Sequence, residues 1–103
     1  MSSDTETVEG FVIDIACVRK NPREGLPEDA RTHTKECALE GHCVESGYAV
    51  VTDEDRLILL DSEATTRVVE TIERSDTERG HRVRVTRERT DGGTMETTAV
   101  EEL

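Results

Sequence analysis

Tryptophan is absent from this 103-residue chain, and one Phe and one Tyr make up its aromatic content. A surface that stacks single-stranded bases needs more ring faces than Phe11 and Tyr48 supply. Lysine is scarce too. Two Lys and 11 Arg stand against 24 acidic residues, and the formal net charge is -11. A general nucleic-acid binder carries the opposite sign. No run approaches the ~20 apolar residues that a membrane-spanning helix needs. Met1 to Glu9 is acidic and has neither the basic region nor the apolar stretch of an export signal, so the expected compartment is the cytosol. The length suits one small domain. The expected organisation is an acidic tail over 1–7 and a single domain over 8–103.

What is present in excess is negative charge. Only 33% of residues are apolar, and that balance can signal disorder. Here the apolar residues are clustered and periodic, which argues for a fold. The acids are spread over nearly every segment rather than gathered in one block, as a surface adapted to high salt would have them. An acidic face for a basic partner would be more concentrated.

Val8 to Cys17 reads as a strand, with Phe11, Ile13, Ile15 and Cys17 on one face at period two. Gly10 inside it marks a bulge or a close backbone approach. From Val18 to Ser46 the period fails, both prolines occur, and a long loop is expected. Short helical turns are expected near Pro27–Thr32 and Thr34–Glu40. A loop of this length is normally functional or pinned by something. Gly47–Thr52 and Arg56–Leu60 read as a hairpin around Asp53-Glu54-Asp55. Ala64, Val68, Val69 and Ile72 then recur at helical spacing behind a cap at Asp61 or Ser62. Arg82–Arg89 and Thr94–Val100 read as a second hairpin through Asp91-Gly92-Gly93. Five strands, with a helix between the third and fourth and a long Cys/His-containing loop after the first, follow the order of an OB-like β-barrel. The expected fold class is therefore mainly β. A mixed sheet with one covering helix is the alternative.

The three cysteines and two of the three histidines fall between positions 17 and 43: Cys17, His33, Cys37, His42 and Cys43. Three thiolates and an imidazole are a ligand set for zinc or another soft metal ion. Cys17, His33, Cys37 and Cys43 are the candidate ligands, with His42 as a substitute. His33 and Cys37 stand four apart, so one helical turn would put both on one face. Cys17 would be held by a strand end. Asp14 is either a partner to a ligating imidazole or a polar outward residue. An ion would also pin the long loop. A Cys37–Cys43 disulfide, or three unconnected thiols, remain open on the same residues. A thiol nucleophile or redox pair is a further reading, and no third member of a catalytic set is evident.

Gly10-Phe11-Val12-Ile13-Asp14-Ile15-Ala16-Cys17, then His33-Thr34-Lys35-Glu36-Cys37-Ala38, then Cys43-Val44-Glu45-Ser46-Gly47, resembles a group of small bacterial and archaeal proteins. Their shared pattern is G-x-[VI]-x-D-x-x-C, H-x-x-x-C-A and C-x-x-x-G. The resemblance implies an OB-type β domain with a common site at Asp14, Cys17, His33, Cys37 and Cys43. It implies no particular activity. Many members carry an export signal, which is not evident here, and His42 lies outside the pattern. Two other roles stay in view: an interaction module for a protein or, against the charge, a nucleic acid through Arg82, Arg84, Arg87 and Arg89, and a thiol redox protein using Cys37 and Cys43.

Overall fold

A computed structural model describes residues 5–20 and 22–103, without the side chain of His42. The expected role of His42 as a substitute ligand therefore lies outside the described residues, as do positions 1–4 of the expected tail.

The first strand, β1, runs from Thr5 to Asp14, three residues earlier at each end than its period suggests. Its side chains divide the molecule. Val8, Val12 and Asp14 point to one face, and Phe11 and Ile13 to the other. β2 (Tyr48–Thr52) pairs with it in antiparallel register, Ile13 opposite Ala49 and Asp14 opposite Tyr48. β3 (Leu57–Leu59) closes the hairpin on β2. β4 (Arg82–Arg89) takes the other side of β1, with Val8 opposite Val85. β5 (Met95–Glu102) lies outside β4. The sheet order is β3-β2-β1-β4-β5, all antiparallel.

Gly10 shows the close approach its position suggests. A Cβ there would lie 2.2 Å from the Val51 carbonyl oxygen. Only glycine lets β1 and β2 meet at this point.

Among the described residues, five α-helices cover the sheet. α1 (Ile15–Lys20), α2 (Leu26–Thr32), α3 (Lys35–Ala38) and α4 (Gly41–Ser46) follow β1, with a 3-10 turn at Arg23–Gly25. α5 (Ser62–Arg74) follows β3. Val8, Val12, Tyr48, Val50, Val83 and Val85 pack against Ala64, Val68 and Ile72 of α5 and Ala38 of α3. On the opposite face Ile13, Ala49 and Val51 pack against Leu26 and Ala30 of α2. The fold is a mixed α/β arrangement with helices on both sides of the sheet.

Two expectations change here. The two helical turns expected in the long loop are there as α2, started by Pro27, Glu28 and Asp29, and α3, started where the Thr34 hydroxyl accepts the Cys37 N–H at 3.1 Å, but α1 and α4 add to them, so most of the loop is helical. The sheet is also open. A barrel would require β3 to pair with β5, and no ladder joins them among the described residues. α5 covers that side instead. Asp61, at its start, turns its carboxylate to β5 and accepts the Thr97 N–H at 3.0 Å and the Thr97 hydroxyl at 2.6 Å. No described helix is long and apolar enough to cross a membrane.

Candidate metal centre

β1 ends at Asp14, and the chain turns at once into α1. The Asp14 Oδ2 accepts the Cys17 N–H at 2.9 Å. That is helix capping, with the carboxylate at the cap and the cysteine three residues on. The D-x-x-C spacing therefore places the Cys17 side chain over the strand end. Cys17 stands in the first turn of a helix, not at a strand end as its period suggests. The start of α1 is further tied to α4, where the Ser46 hydroxyl accepts the Ala16 N–H at 3.1 Å.

His33 and Cys37 do not share a helical turn. His33 ends α2 in extended conformation (φ -60°, ψ 126°), and Cys37 belongs to α3. The bend at Thr34 still brings them together. The strand-like backbone here is held from outside. Gly80 donates its N–H to the His33 carbonyl at 3.1 Å, and Lys35 donates to the Glu78 carbonyl at 2.8 Å. Gly80 has φ 71°, and a Cβ would meet the Arg31 carbonyl oxygen at 2.4 Å. The approach of this segment to the site thus depends on glycine at position 80.

Asp14, Cys17, His33 and Cys37 each offer a ligand atom, and the four atoms lie within 4.8 Å of one another. The edges of a tetrahedral zinc site with Cys, His and carboxylate donors are about 3.3–3.8 Å, from bond lengths near 2.0–2.3 Å. The set is compact enough to close on one ion with small shifts. Asp14 is fully buried and His33 is 8% exposed. His33 Nε2 stands 2.8 Å from Asp14 Oδ1, yet off the line of a hydrogen bond, and both atoms are without a hydrogen-bond partner. A buried polar atom left unsatisfied costs about 1–3 kcal/mol. Two such atoms facing one space are what ligands of a shared cation present.

Cys43 is the remaining expected ligand. It is buried on α4, 1% exposed, outside the group of four. Its thiol contacts the Asp14 carboxylate. Burial and the neighbouring Asp14 push the Cys43 thiol up to about 12, and burial with Asp14 and Cys37 does the same to Cys17. Burial alone would raise the Asp14 carboxyl, but His33, the Cys17 N–H and the thiols outweigh it and hold it far below its ordinary value. Asp14 is thus an anion at neutral pH beneath two protonated thiols. An ion binding there would displace thiol protons. Asp14 is the donor that spacing alone leaves undecided, and its capping of α1 is the signal that places it.

The group opens on a cleft of about 250 Å³, lined by Cys17, His33 and Cys37 with Asp29, Thr32 and Thr34. A larger groove of about 530 Å³ along Glu6–Glu9 and Thr52–Glu54 holds no thiol or imidazole. Tyr48 is buried with its hydroxyl donating to the Ala38 carbonyl, so its ring faces no base. Arg82, Arg84 and Arg87 meet Asp53, Glu9 and Glu6 at 2.5, 2.8 and 3.3 Å. His81 is buried apart from the cluster and donates through Nε2 to the Thr77 carbonyl.

No family model, curated protein or solved structure gives a significant match to this chain. Any functional reading therefore stands on the geometry.

Proposed function

We propose that the protein binds one divalent ion, zinc by preference, through Asp14, Cys17, His33 and Cys37. The observation that carries this reading is the convergence of four donor atoms within 4.8 Å from separate elements: the end of β1, α1, the end of α2 and α3. Two thiolates, an imidazole and a carboxylate suit a borderline-soft cation. The role of the ion is structural. α1 to α4 are four to seven residues long, well below the ~12–15 residues at which an isolated helix holds itself. An ion shared by three of these elements and the sheet would fix their arrangement and contribute directly to folding.

The resemblance at Asp14, Cys17, His33, Cys37 and Cys43 implies a common site in that group, and four of these five residues are the proposed donors. Strand order supports an OB-like origin, because rolling the sheet until β3 met β5 would give a five-stranded barrel.

The test is elemental analysis of chain refolded with zinc and desalted. About one zinc per chain is expected for the wild type and for Cys43→Ala. His33→Ala and Cys37→Ser are expected to retain far less. A wild-type chain that keeps no zinc overturns the proposal.

A further inference from the structure

Two of the four donors are thiols, and they face each other. The Cys17 and Cys37 sulfurs lie within 4.8 Å of each other. A disulfide needs about 2.05 Å. Rotation about one χ1 sweeps a cysteine sulfur by about 3 Å, a reach comparable to the gap that remains. Each thiol rides on a short helix, α1 of six residues and α3 of four. Both are partly exposed, and both line the 250 Å³ cleft. Cys43 is buried and does not line it. A small oxidant entering the cleft meets the first two thiols and not the third.

We propose that Cys17 and Cys37 form an intramolecular disulfide on oxidation, and that this bond and the metal ion exclude one another. The second half rests on the metal-binding reading above; the pairing of the two sulfurs does not. With hydrogen peroxide as oxidant, one sulfur attacks a peroxide oxygen, the O–O bond breaks, and a sulfenic acid and one water form. The second sulfur attacks the first, the S–O bond breaks, and a second water leaves. The two sulfurs lose two electrons, and peroxide is reduced to two waters. In the metal-free protein the thiols supply both protons; from the loaded site solvent supplies them. Two of the four donors are then consumed, and Asp14 and His33 alone do not retain the ion. A dithiol reverses the bond. The site thus becomes one whose ion is released by oxidation and reclaimed on reduction. It is a different pair from the Cys37–Cys43 bridge that sequence proximity suggests.

The experiment uses the full chain in two states. Metal-free protein is treated with stoichiometric hydrogen peroxide, alkylated and digested without reduction. Cleavage at the basic residues between 17 and 37 separates that pair, and cleavage after Glu40 separates 37 from 43. The expected product is a Cys17–Cys37 cross-linked peptide two hydrogens lighter than its parts, with Cys43 alkylated. A Cys37–Cys43 or Cys17–Cys43 link, or three alkylated thiols, overturns the pairing. Zinc-loaded protein is then oxidised with a chromogenic chelator present. One zinc released per disulfide is expected, and a disulfide formed with zinc retained overturns mutual exclusion. A chain that takes up no zinc defeats the metal reading while leaving the cross-linking result to decide the pairing.

Discussion

Asp14 joins more of the site than any other side chain. One carboxylate oxygen caps α1 through Cys17, and the other faces His33 with no aligned partner. Removing the imidazole would take away the polar group that approaches that oxygen to 2.8 Å and open a cavity beside a buried carboxylate. His33→Ala is therefore expected to destabilise even the metal-free chain, by roughly 2–4 kcal/mol. Urea unfolding in the presence of chelator measures it, and an unchanged midpoint would show that Asp14 does not depend on His33. Cys43→Ala should cost the loss of a small buried side chain and of its contact with Asp14, about 1–3 kcal/mol, with metal binding intact. At this scale the cluster was legible in sequence and its internal roles were not. Spacing brought Cys17, His33 and Cys37 to notice together with Cys43. Only the fold shows Cys43 buried on α4 and outside the group of four.

At the scale of elements, Asp61 links the start of α5 to β5. Burial raises its carboxyl, but the Thr97 hydroxyl and N–H outweigh that and hold it below its ordinary value. A carboxyl with a lowered folded value stabilises above its unfolded value, near ~4. The contribution is lost as pH falls through the lower folded value. Asp61→Asn should thus cost about 1–3 kcal/mol at neutral pH, with the difference from wild type shrinking below about pH 4. Urea midpoints across that range check it, and a difference that persists unchanged into acid would contradict it. α5 and β4 were readable because Ala64, Val68 and Ile72 keep one period and Val83 and Val85 the other. α1 was hidden, because Ile13, Ile15 and Cys17 continue the strand's alternation past Asp14. α4 was hidden for another reason: Gly41, Val44 and Ser46 are weak helix formers, and its place comes from packing. The open sheet was not legible either, since the Asp61–Thr97 contact spans 36 positions.

At the scale of the molecule, a net charge of -11 loads the fold with self-repulsion. Its named ion pairs, such as Arg84–Glu9 and Arg87–Glu6, are surface contacts worth at most about 1 kcal/mol each. Salt weakens both, but repulsion acts over the whole surface. The screening length falls from about 10 Å at 0.1 M to about 3 Å at 1 M. The thermal midpoint of chelated protein should therefore rise between 0.1 and 2 M potassium chloride. A midpoint that falls or stays level would argue against a salt-adapted surface. Metal should add to stability independently, by about 4 kcal/mol when the free ion is a thousandfold above its dissociation constant.

A single ion held by two thiolates, an imidazole and a carboxylate has a donor set that cobalt(II) substitution reads directly. Its visible bands report tetrahedral geometry, and its near-ultraviolet charge transfer scales with the number of bound thiolates. The expected result is one tetrahedral cobalt per chain with the intensity of two thiolates, unchanged in Cys43→Ala and lowered in Cys17→Ser and Cys37→Ser. A spectrum without tetrahedral bands, or one that loses thiolate intensity when Cys43 is replaced, would contradict it.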